Sequence, residues 1–94
     1  MPNSTPYRIR IAATADRELR RLPGHVRQRA RRAIQALAQE ARPGDAKELR
    51  EKSGFYRLRL DDWRIVYRVD DENQVVRILR VGPKTGPETY ENLE

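Results

Sequence analysis

"FYRLRLDDWRIVYRV", residues 55–69, decides the fold of this 94-residue chain. Two runs that alternate apolar with polar residues flank Asp61-Asp62, and alternation is the mark of a half-buried strand. Asp-Asp makes an acceptable tight turn, though it is less favoured there than Asn-Gly or Asp-Gly. A two-residue turn sets the pairing: Leu60 with Trp63, Arg59 with Arg64, Leu58 with Ile65, Arg57 with Val66 and Tyr56 with Tyr67. Because side chains alternate across a sheet, these pairs sort by face. Tyr56, Leu58, Leu60, Trp63, Ile65 and Tyr67 make one apolar face that needs cover. Arg57, Arg59, Arg64 and Arg68 crowd the other, with Phe55 and Val66 between them.

A third strand, roughly 74–82, follows the turn "DDEN" at 70–73 and completes a meander. On the N-terminal side, residues 45–54 read as a charged, irregular connector containing Lys47, Arg50 and Lys52. Before it, Val26, Ala30, Ala33, Ile34, Leu37, Ala38 and Ala41 form one apolar stripe at the helical period. Arg27, Arg29, Arg31 and Arg32 lie on or beside the opposite face, and Arg42-Pro43-Gly44 is the expected stop. Ala15, Leu19 and Leu22 give a shorter helix its apolar edge, with Thr14 as N-cap and Pro23-Gly24 as breaker. "YRIRIAA", from Tyr7, alternates as a first strand. Residues 1–6 read as a loose leader, and residues 7–94 as a single domain with a polar tail from about 83. Strand, helix, helix and meander predict an α+β fold with helices on one sheet face.

Charge narrows the function. The formal net charge is +6, and only Lys47, Lys52 and Lys84 of the 20 cations are lysine. A guanidinium-rich surface suits forked contacts to phosphate, so a nucleic acid is the expected partner, with an acidic protein as the alternative. The chain has no cysteine, which excludes disulfides and thiolate metal sites. Its one histidine, His25, sits near a helix start, so neither a histidine metal site nor a paired-histidine nuclease is expected. The acids are scattered in turns and on helix faces, unlike a two-metal nuclease, and Gly82 and Gly86 form no phosphate-cradling loop. No metal or cofactor is expected. There is no apolar run of about 18 residues and no secretory leader, which points to a cytoplasmic protein with no membrane role.

The hairpin itself is the candidate site. Arginines directly opposite each other cost up to about 1 kcal/mol, and a purely structural surface would place Glu or Thr there. A solvated face whose arginine stems cover the sheet is the alternative. Three clustered arginines with no acid between them favour a phosphate site.

"RRLPGHVRQRARRAIQAL" and "AKELREKSGFYRLRLDDWRIVYRVDDENQVVRILRVGPK", with the later tyrosine, resemble toxins of the RelE superfamily of bacterial toxin–antitoxin systems. The resemblance runs from Tyr7 to Tyr90. It implies the RelE-like microbial ribonuclease fold, a cognate antitoxin in a hetero-oligomer, and the 70S ribosome with mRNA in its decoding site as target. It also implies a metal-independent endoribonuclease, in which the ribose 2′-hydroxyl attacks the adjacent phosphate. Arg57, Arg59 and Arg64 match the family's basic catalytic positions, Lys84 its basic residue after the last strand, and Tyr90 its C-terminal tyrosine. Arg50 matches an RNA-contacting residue, and Lys47, Lys52 and Arg68 are the further candidates for RNA contact. Lysine in RelE stands where this chain has Arg57 and Arg59, and guanidinium does not act as a general base. On the resemblance, Tyr90 is the better candidate for the base and Lys84 for the acid, and the sequence leaves the identity of the base open. A ParE-like gyrase poison, and a degenerate toxin that only binds RNA or antitoxin, stay open.

Overall fold

The computed structural model describes residues 6–83. The elements run β1 (Arg8–Ile11), α1 (Ala13–Arg20), α2 (Gly24–Ala36), β2 (Ala46–Glu48), β3 (Phe55–Leu60), β4 (Trp63–Asp70) and β5 (Val75–Pro83). The strands form one five-stranded sheet in the order β1-β5-β4-β3-β2. β1 lies parallel to β5, and every other neighbouring pair is antiparallel. Both helices pack on one face, so the fold is α+β.

The hairpin register is the one that the two-residue turn dictates, from Leu60 opposite Trp63 to Phe55 opposite Arg68. Asp61 takes φ 58°, a left-handed conformation that Asp tolerates better than most residues with a Cβ. Its carboxylate accepts a hydrogen bond from Arg29 of α2, which fastens the turn to the helix layer. Tyr67, Leu19, Leu37, Ile65 and Ile78 are fully buried at the centre of the core. Tyr67 also donates its hydroxyl to the Ala41 carbonyl at 2.8 Å and stacks on Tyr56 with ring centroids 5.7 Å apart.

The connector at 45–54 is not irregular throughout. Ala46–Glu48 adds an edge strand, with Ala46 opposite Leu58 and Lys47 opposite Arg57. "AKE" is too short and too polar to show a strand period. Thr14 does not cap α1 either. Ala12 holds that position without a side-chain bond, and its N–H is anchored to the Ile78 carbonyl at 2.9 Å. α2 ends at Ala36, ahead of Arg42-Pro43-Gly44, because Leu37, Ala38 and Gln39 each bond three residues back. Leu37 and Ala41 are buried all the same.

β5 contains a bulge. Tyr67 pairs with Ile78 and Val66 with Arg80, which leaves Leu79 as the extra residue. The added residue inverts the alternation. Val76, Ile78 and Val81 therefore all reach the helix-side core, and Leu79 packs on the other face. Glu18 of α1 braces this point, accepting from the Val81 N–H and from Arg80, both at 2.8 Å.

At the other end of the sheet, Arg42 donates to Asp71 at 2.7 Å and to the Tyr56 hydroxyl at 2.7 Å, while Tyr7 donates to Asp71 at 2.5 Å. This clasp ties the start of β1 to the α2–β2 segment and the β4–β5 turn. The bonds from Arg42 and Tyr7 hold the Asp71 carboxyl below its ordinary range, and the bond to Asp71 raises the Tyr7 phenol. No helix among the described residues is long and apolar enough to cross a membrane.

Candidate functional site

The sheet face away from the helices carries the arginines, as alternation requires. Arg59 and Arg64 are direct cross-strand partners. Arg57 lies two residues before Arg59 on the same face, and Lys47 stands opposite it on β2. The fold thus brings together Arg57, Arg59, Arg64 and Lys47. Lys84 and Tyr90 lie outside the described residues.

The three arginines have different surroundings. Arg59 is exposed. Arg64 is only 6% exposed, and its Nη2 donates to the Pro83 carbonyl at 2.7 Å. Arg57 is half-buried, and its Nε is enclosed without a hydrogen-bond acceptor. An enclosed guanidinium donor left unmade is costly. Arg59 and Arg64 share its sheet face, and guanidinium forks suit phosphate oxygens.

An apolar ridge borders this cluster. Val66 and Leu79 are buried on the open face, with Leu49 and Phe55 packed against them. The Phe55 ring carries the Arg68 guanidinium and the Lys52 ammonium, each 5.7 Å from its centroid. Arg68 is four residues beyond Arg64 along β4, about 13 Å away, so it does not join the cluster. Arg50 is exposed in the turn between β2 and β3. The open face is not acid-free. Asp70 ends β4 there, its carboxyl held below the usual range by hydrogen bonds from Asn73 and by the Arg68 charge.

The Pro83 carbonyl that orients Arg64 had no signal in the sequence, because any backbone can supply it. The bulge that sends Leu79 to this face was equally silent. The Phe55–Arg68 contact was foreseeable from the register alone.

The family profile for the ParE toxin of type II toxin-antitoxin system, parDE, matches residues 9–85. The chain belongs to the RelE/ParE superfamily of type II toxins. This RelE/ParE toxin is 35% identical over 77 residues to Toxin RelG of Mycobacterium tuberculosis, covering 81% of its own length and 88% of RelG. Among solved structures it is similar to the RelBE2 toxin–antitoxin complex of the same organism. The identity there is 33% and the TM-score 0.74, over 84% of this chain and 99% of that one. The archaeal RelE–RelB complex from Pyrococcus horikoshii gives 28% and 0.78, over 87% and 99%. The isolated Escherichia coli RelE toxin gives 28% and 0.75, over 89% and 90%. The span matched to the ParE profile takes in Arg57, Arg59 and Arg64 of the toxin.

Proposed function

We propose that this RelE/ParE toxin is a ribosome-dependent endoribonuclease that cleaves mRNA in the decoding site and so stops translation. The ribose 2′-oxygen attacks the adjacent phosphorus, the bond to the 5′-oxygen breaks, and a 2′,3′-cyclic phosphate is left. Tyr90 takes the proton from the 2′-hydroxyl and Lys84 returns one to the leaving 5′-oxygen. Arg57, Arg59 and Arg64 stabilise the phosphate as its charge grows, which is where preorganised cations help most. Lys47, Arg50, Lys52 and Arg68 contact RNA around the reacting phosphate. No step calls for a metal or cofactor.

The observation that carries this reading is the cluster of Arg57, Arg59 and Arg64, with the Arg57 Nε enclosed and lacking an acceptor. The toxin acts in the cytoplasm as a single domain from residue 7 onward. A cognate antitoxin neutralises it, in keeping with the RelB partners of the similar RelE structures. The ParE profile match supports a second reading, a gyrase poison that cuts no RNA. Primer extension on a defined mRNA in a purified translation system separates the two. Codon-positioned cuts that need ribosomes and vanish in Arg64→Ala are expected. Intact mRNA beside inhibited gyrase supercoiling would replace the nuclease with the gyrase poison.

A further inference from the structure

Gly82 stands where nothing in the described fold calls for glycine. It lies on β5 directly opposite Arg64 of β4, which in turn pairs with Arg59 of β3. These three residues make one rung across the open face, and with strands about 4.8 Å apart the rung spans about 10 Å. Val81 packs into the helix-side core, so alternation turns position 82 to the open face with Arg64. Among the described glycines only Gly54 takes a positive φ, so no left-handed backbone requires glycine at 82. A Cβ added there would meet no described atom within 4 Å, so no close packing requires it either. A bare residue inside a strand weakens it, through chain flexibility and lost packing.

The bulge is what brings Gly82 to this rung. Tyr67 pairs with Ile78 just before the extra residue. Unbroken pairing from that point would set Val66 against Leu79, Ile65 against Arg80 and Arg64 against Val81. The extra residue moves every partner one place along, and Arg64 faces Gly82 instead. The isopropyl group of Val81 is thereby kept off the arginine face and buried in the core. Glu18 holds the arrangement, with its carboxylate on the Val81 N–H and on Arg80. Arg64, only 6% exposed, reaches the Pro83 carbonyl one residue further on. The rung therefore ends in bare backbone beside a buried, oriented guanidinium.

We infer that the bare backbone at Gly82 is the floor on which the reacting phosphodiester is seated. The inference rests on the nuclease reading and assigns that site the residue which sets how closely the RNA approaches. Glycine in a strand lets a ligand come up to the backbone itself, where a side chain would hold it off. The phosphate then lies along the rung, within reach of the Arg59 and Arg64 forks. This seat is a stretch of strand, not a glycine loop at a helix start. Gly82 supplies no charge and moves no proton; its part is to leave room.

The test compares the full chain as wild type, Gly82→Ala and Gly82→Val by melting temperature, ribosome affinity and single-turnover cleavage of a defined mRNA on purified ribosomes. Both variants should melt at or above the wild-type temperature, because a side chain suits a strand better than glycine does. Gly82→Ala should cleave about tenfold more slowly and Gly82→Val about 100-fold, since a reacting group displaced by about 1 Å loses that much. Ribosome affinity should be unchanged, because every cation is retained. Wild-type cleavage by Gly82→Ala overturns the inference. So does a lowered melting temperature that accounts for the lost rate, which would make the glycine structural. A loss of ribosome affinity equal to the loss of rate would place Gly82 in docking, and the inference again fails. In each of these cases, loss of cleavage in Arg64→Ala leaves the nuclease reading standing. A wild type that leaves the mRNA intact removes both.

Discussion

Arg64 Nη2 donates to the Pro83 carbonyl at 2.7 Å, so the one buried cation among the described residues is tied to the last residue of β5. This bond aims the guanidinium along the open face and occupies one of its five donors. It also couples the proposed phosphate clamp to the strand that leads directly into Lys84.

Replacing Arg64 separates charge from geometry. Arg64→Ala should lower ribosome-dependent cleavage by about 100- to 1,000-fold, the range seen when one preorganised donor is lost from a charge-stabilising site. Arg64→Lys keeps the charge but not the fork, and should fall between the two. Quantified cleavage of a defined mRNA under single-turnover conditions gives both numbers. Equal rates for lysine and arginine would leave the fork with no role.

The Tyr67 hydroxyl bridges sheet and helix layers through its bond to the Ala41 carbonyl. Tyr67→Phe should cost about 1 kcal/mol in urea unfolding at pH 7, with the m-value unchanged. Burial pushes the Tyr67 phenol above its ordinary value of 10.0. A raised folded-state pKa gives stability that is complete below the unfolded pKa and lost as pH rises through the folded one. The advantage of wild type over Tyr67→Phe should therefore shrink above pH 10. A constant difference into strong alkali would contradict the assignment.

Asp71 responds at the acid end. Its carboxyl is held low by the bonds from Arg42 and Tyr7. A depressed folded-state pKa gives stability that is present above the unfolded value, about 3.9, and lost as pH falls through the folded one. Asp71→Asn should melt below wild type at pH 7, and the two melting curves should converge in acid. Parallel curves down to pH 2 would show that the clasp adds no charge-dependent stability.

Glu18 accepts from the Val81 N–H beside the bulge. Glu18→Ala leaves that donor without its partner and should destabilise by about 1–3 kcal/mol. Glu18→Gln keeps an acceptor oxygen and should lose less. Denaturant midpoints rank the two, and an alanine no worse than the glutamine would mean that water replaces the carboxylate at the bulge.

What could be read before the structure followed from local rules. The turn at Asp61-Asp62 fixes a register, and the register alone assigns both faces of the hairpin and the Arg59–Arg64 contact. The helix-two stripe located Ala30 and Ile34 in the core for the same reason. Long-range geometry was not legible. β1 pairs with β5 across most of the chain, so nothing near Arg10 indicates that Arg77 lies beside it. The bulge at Leu79 is a single extra residue, and a string of apolar residues such as "RILRV" does not show where alternation breaks. Burial of Arg64 was hidden too, because alternation assigns a side chain to a face and not to a depth. Two of the five expected catalytic residues, Lys84 and Tyr90, lie outside the described residues.

Tyr90 supplies the sharpest test of the proposed chemistry. A guanidinium does not act as a general base, so Arg57, Arg59 and Arg64 are not assigned the 2′-hydroxyl proton. The proposed base is Tyr90, whose phenol can accept the proton only as a phenolate, a form that a nearby positive charge would favour. Tyr90→Phe should cut the single-turnover cleavage rate by about 100- to 10,000-fold, the usual contribution of a positioned acid or base. Ribosome binding should be unchanged, because the phenyl ring keeps its size and the arginines keep their charge. Full cleavage by Tyr90→Phe would end its role as base. Loss of ribosome binding together with cleavage would make Tyr90 a docking residue, and proton transfer would then have to be sought among the RNA's own groups.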